Sequence, residues 1–141
     1  MTTNGKEVRY EDMTDLLVTR APELREEIEE VRRWWEPDVP GQHIIYGDVL
    51  NPYLKNLLQT GANDERLREL FMLLEELAHN PDEHVQEVVV VTVLESLLGH
   101  PALFARAREF MAPTTLAMSY ELERGWQDFY DKKRQQPPPK C

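Results

Sequence analysis

Apolar residues recur along this chain at the three- and four-residue steps of an amphipathic helix, and prolines and glycines separate one such run from the next. Residues 10–21 set Met13, Leu16, Leu17 and Val18 on one side of a short helix, with Asp12 and Asp15 near its positive end. Pro22 opens a second helix, a position where its missing N–H costs nothing. Leu24, Ile28, Val31 and Trp35 then form one stripe, while Glu23, Glu26, Glu27, Glu29 and Glu30 take the other faces with Arg25, Arg32 and Arg33. Pro37, Pro40 and Gly41 end this helix and open a loop. Asn51-Pro52 reads as the next helix start, with Tyr53, Leu54, Leu57 and Leu58 as its apolar face and Gly61 as its stop.

Asn63 or Asp64 caps a helix that runs to about His79 and carries Leu67, Leu70, Phe71, Leu74 and Leu77 on the helical period. Residues 88–93 are β-branched almost throughout and could form a buried strand. The acids Asp82 and Glu83 before them and Gly99 after them decide for helix, and the apolar middle makes it the expected central one. Pro101 and Pro113 start two more, the last bearing Leu116, Tyr120, Leu122, Trp126, Phe129 and Tyr130. The pattern predicts an all-α fold of about six to seven helices, paired as antiparallel hairpins in a HEAT-like or irregular bundle. One helical domain over residues 10–131 is expected between a flexible N-terminus, residues 1–9, and a disordered Pro-rich tail, residues 132–141.

Charge narrows the class of partner. The formal net charge is −10. Residues 37–99 carry eleven acidic and three basic side chains, whereas residues 100–141 carry five and seven. Such a field repels phosphate backbones and anionic lipid headgroups and speeds encounter with a basic protein surface. Direct nucleic-acid and membrane binding are therefore not expected. Cys141 is the sole cysteine, so no disulfide within the chain and no cysteine-rich zinc site can form. With no apolar run of membrane-spanning length and no signal-peptide core, the expected location is cytoplasmic.

Candidate chemistry is sparse. Glu76 and His79 have the Glu-x-x-His spacing of di-iron bundles, but the second such pair is missing, because Leu98 follows Glu95 at that spacing. His79 and His84 flank Asn80-Pro81 beside Asp82 and Glu83 without a defined ligand set, which keeps a metal-binding protein or metal-dependent enzyme as the second reading. Ser96 and Ser119 fall inside helices, away from any nucleophile elbow, and no phosphate-binding glycine motif occurs. No catalytic residue, metal ligand or cofactor is assigned.

Two features remain for recognition. In residues 43–53 the structural reading has Asp48 and Asn51 capping backbone groups, Gly47 turning the chain and Ile45, Val49 and Tyr53 filling the core. The functional reading makes His43, Tyr46 and Asp48 an exposed recognition edge. Adjacent Trp34 and Trp35 differ by about 100° on a helix, so Trp35 continues the buried stripe and Trp34 lies nearer the rim. Glu65, Glu69, Glu75, Glu76, Asp82, Glu83 and Glu87 are expected on the outer faces of the central helices, with Leu70, Leu74, Leu77, Val88 and Val91 pointing inward.

The run Tyr46-Gly47-Asp48-Val49-Leu50-Asn51-Pro52-Tyr53, with Asp82-Glu83-His84-Val85-Gln86-Glu87-Val88 and Thr92-Val93-Leu94-Glu95, resembles a family of small helical bacterial proteins of unknown function. The resemblance covers most of residues 10–125 and carries no catalytic residues. In size, acidity and helical make-up the chain is similar in type to immunity proteins encoded beside polymorphic toxins. The expectation is a non-enzymatic module that covers a basic partner protein through Trp34, His43, Tyr46, Asp48, Glu65, Glu69, Glu76, Asp82, Glu83 and Glu87. An adaptor subunit of a larger assembly is a third reading, for which an uncovered apolar groove and self-association would speak.

Overall fold

The computed structural model describes residues 8–135. Most of the expected N-terminal segment, residues 1–7, and the end of the expected tail, residues 136–141, lie outside the described residues. Among the described residues there is no strand, and the helical segments join into seven rods. These are α1 (Met13–Arg20), α2 (Arg25–Trp35), a rod made of α3 (Gln42–Ile45), a π turn (Tyr46–Leu50) and α4 (Asn51–Thr60), then α5 (Asp64–Ala78). A rod of α6 (Glu83–Glu87), a second π turn (Val88–Leu94) and a 3-10 turn (Glu95–Leu97) follows, and α7 (Pro101–Arg108) and α8 (Pro113–Gln135) complete the fold.

Local chemistry explains the joints. Gly61 takes the left-handed conformation at φ 63°, where a glycine closes a helix without Cβ strain. Asn63 accepts from the Arg66 N–H and Asp82 accepts from the His84 N–H, which makes them the N-caps of α5 and α6. Asn80 locks the turn between them by donating to the Val8 carbonyl and accepting from the Asp82 N–H. Asn51 and Pro52 depart from the expected start signal. Asn51 is the first residue of α4 but not its N-cap, because its backbone is already helical and residues 42–60 run on as one rod. A proline ring inside a regular α-helix would strike the carbonyl four residues back, and the π turn just before Pro52 widens the ladder there.

The core is built around α5, whose Leu67, Leu70, Phe71, Leu73, Leu74 and Leu77 are all at most 1% exposed. Each such side chain contributes roughly 1.5–3 kcal/mol on burial. The expected central helix, residues 88–93, is helical but not the most enclosed: Val88, Val89 and Val93 are buried while Val91 is 52% exposed. Thus Val91 does not point inward as its neighbours do. Two residues from both Val89 and Val93, it lies about 200° round the helix from each and so takes the outer side.

Packing holds only the first part of α8. Thr115 and Ser119 are its buried residues. The Arg108 guanidinium lies 4.1 Å from the Phe104 ring centroid and 4.2 Å from that of Tyr120, and it also binds Ser119 and Glu123. Tyr120, Phe129 and Tyr130, expected on the apolar face of this helix, are about half exposed. Residues 132–135, expected in the tail, continue the helix.

Candidate functional site

The second helix presents two faces with different fates. Leu24 and Ile28 are buried. A parallel line on the outer flank, Glu27, Glu30 and Trp34, repeats at steps of three and four and faces solvent. Trp34 is 84% exposed, and Val39, just beyond the helix end, is 86% exposed. Trp35 does not stay in the buried stripe as the periodicity predicts; at 39% exposure it sits on the rim. The helix ends at Trp35, so no further turn of α2 packs down over it.

The π turn brings Asp48 to this place. Together Glu27, Glu30, Val31, Trp34, Trp35, Asp48 and Val49 line a hollow of about 600 Å³. Its wall is aromatic and aliphatic and its rim carries three carboxylates. A planar indole offers a large apolar area with little rotamer freedom to lose, and the carboxylates can accept from lysine or arginine. The arrangement suits a basic side chain laid over an indole ring.

The other candidate residues are distributed differently. Tyr46 is fully buried and its hydroxyl donates to the Met13 carbonyl at 2.9 Å, so it belongs to the core and not to a recognition edge. His43 is half-buried and hydrogen-bonds the Thr92 hydroxyl, while the Asn51 amide donates to the Thr92 carbonyl at 3.0 Å. These contacts tie the second π turn to the residues on either side of the first. Gly47 is a close-approach position there and not a turn: a Cβ on it would meet the Thr92 methyl at 3.3 Å. Of the proposed edge, only Asp48 is exposed.

Glu65 and Glu69 are exposed on α5 beside Arg20, Arg68 and Met72. Glu69 accepts from Arg66 at 3.0 Å and Glu76 pairs with Arg20, so this face is mixed in sign and not uniformly acidic. Arg66 also grips Glu23 through two hydrogen bonds of 2.6 and 2.7 Å, and the Tyr53 hydroxyl donates to the same carboxylate. Burial alone would raise the Glu23 carboxyl, but these donors outweigh it and hold it below the usual range. Glu83 and Glu87 are exposed on α6, while Asp82 is engaged as the cap.

Glu75 is not on an outer face as expected. It is buried and accepts from the N–H groups of Thr114 and Thr115, from the Thr115 hydroxyl and from His79. Burial would raise its pKa, but the threonine donors at the positive end of α8 bring it down to about 2. This bond set pins α8 to α5. It also separates Glu76 and His79, whose partners are Arg20 in one case and Glu75 with Thr114 in the other. Among the described residues no three His, Cys, Asp or Glu side chains converge as a metal site, and no helix is long and apolar enough to cross a membrane.

Sequence reasoning missed Glu27 and Glu30 as site residues. The signal was present in the step from Glu27 through Glu30 to Trp34, alongside the apolar stripe. A family model described as a domain of unknown function (DUF7674) matches residues 14–127, which include all of this surface. No curated protein and no solved structure matches the chain.

Proposed function

Since the chain belongs to DUF7674, a family described only as a domain of unknown function, its role has to be read from its own surface; we propose a non-enzymatic protein-binding module that takes a basic partner on the acid-rimmed tryptophan patch of α2. The observation that carries this reading is Trp34, 84% exposed beside Glu27, Glu30 and Asp48. A tryptophan left in water by its own fold is the residue type most enriched among interface hot spots. Carboxylates around it speed encounter with a basic surface and set its orientation.

The finer reading is an immunity-like protein that covers a basic toxin in the cytoplasm. Its support is the acidity, small size and helical make-up of the chain. The test is a pull-down against the product of the adjacent gene, paired with growth rescue. Trp34→Ala should weaken binding by at least roughly tenfold and abolish rescue while leaving the melting temperature unchanged. Undiminished binding by that variant would rule out the patch, and a neighbouring product with no toxicity would rule out the immunity role.

A further inference from the structure

Helix α8 carries a line of small and apolar residues that its own chain covers less and less toward the C-terminal end, where Trp126 still borders a hollow shared with Glu95, Leu98 and Gly99. Thr115, Ser119, Leu122, Trp126 and Phe129 step by four, three, four and three residues, which is the heptad spacing of a helix-pairing seam. The body covers Thr115 and Ser119 completely, Leu122 in part, and leaves Phe129 52% exposed. Among the described residues the last ion pair from α8 to another element is Arg108–Glu123 at 2.6 Å. Beyond it Trp126 packs on Phe129 and Tyr130 at centroid distances of 5.8 and 5.6 Å, all within the same helix. Glu121, Leu122, Gly125, Trp126 and Phe129 border a hollow of about 380 Å³, and a Cβ on Gly125 would meet no atom within 4 Å.

We propose that this face pairs with the same face of a second copy, the two α8 helices running antiparallel about an axis near Gln127 and Asp128. Charge decides both occupant and direction. Glu121 and Glu123, the latter shared with Arg108, flank one end of the seam and Lys132, Lys133 and Arg134 the other, while Arg124 and Asp131 lie on the opposite side of the helix. Antiparallel apposition lays each acidic end beside the partner's basic end twice over, whereas parallel apposition would set like on like. The same register brings Trp126 against Phe129 of the partner subunit and the stem of Lys133 toward Leu122 of the partner subunit. A two-fold pairing demands this kind of self-complementarity.

Sedimentation velocity of the full chain over a concentration series tests it, with reductant present so that Cys141 cannot bridge chains. The expected result is a reversible monomer–dimer equilibrium that weakens with salt. Phe129→Glu should raise the dissociation constant at least roughly tenfold with an unchanged melting curve. Lys132→Glu with Lys133→Glu and Arg134→Glu should weaken self-association likewise, and mixing that chain with a Glu121→Lys chain should recover mixed dimers. A monomer at every concentration, which would leave the face to a different protein, overturns the proposal. So does a dimer indifferent to Phe129→Glu or to the charge exchange.

Discussion

Glu75 and Tyr46 are polar groups that the fold has taken into its interior, and each has a measurable consequence. The folded pKa of Glu75, about 2, lies below its ordinary 4.5, so its stabilisation is complete above that ordinary value and is lost as pH falls toward 2. The shift corresponds to on the order of 3 kcal/mol. Denaturant titrations at a series of acidic pH values should show wild-type stability falling through this window. Glu75→Gln, which has no proton to take up, should start lower and follow a flatter curve; parallel curves for the two proteins would contradict this account. Tyr46→Phe removes only the hydroxyl that donates to the Met13 carbonyl, and it should cost about 1 kcal/mol without changing the size of the unfolding transition. Equilibrium urea unfolding reads both quantities.

At the scale of elements, the two π turns carry the packing that a regular helix could not. They cross at Thr92, where the Gly47 backbone comes close enough that an added Cβ would press on the Thr92 methyl. Gly47→Leu should therefore destabilise by about 1–3 kcal/mol through overpacking. Gly125 is the counterexample, a helix-interior glycine in open space. Gly125→Ala should raise stability by roughly 0.5–1 kcal/mol, because alanine loses less backbone freedom on entering a helix. Thermal melts of the two variants should move in opposite directions, and a common direction would remove the distinction drawn between these glycines.

For the molecule as a whole, net charge acts on encounter more than on folding. Glu65, Glu83 and Glu87 are exposed and make few contacts, so reversing all three to lysine should leave the melting temperature nearly unchanged. The same reversal should slow association with a basic partner and flatten its dependence on salt, as stopped-flow rates over a salt series would record. A rate insensitive to both salt and reversal would reduce the acidic surface to a solubility feature. The Trp34 patch would then bind through its apolar area alone.

Helix existence and most inward faces were legible in the sequence because both depend on local quantities: the three-four period, the capping side chains Asn63 and Asp82, and the stops at Gly61 and Gly99. The exposure of Trp34 followed from the same geometry, as the neighbour of a stripe that already had its face. What tertiary structure decided was the fate of residues whose local pattern is ambiguous. Residues 42–51 became helix because Tyr46, Ile45 and Leu50 could be buried together against α1 and the second π turn, a return that no local count contains. Trp35 and Phe129 carry apolar side chains on apolar stripes, yet both are left open where the surrounding body ends. Glu75 looked like one more surface acid, and only the arrival of the α8 N-terminus made its burial favourable. Periodicity specifies which face of a helix seeks cover; which faces obtain it depends on how far the other elements reach, a property of the assembled molecule.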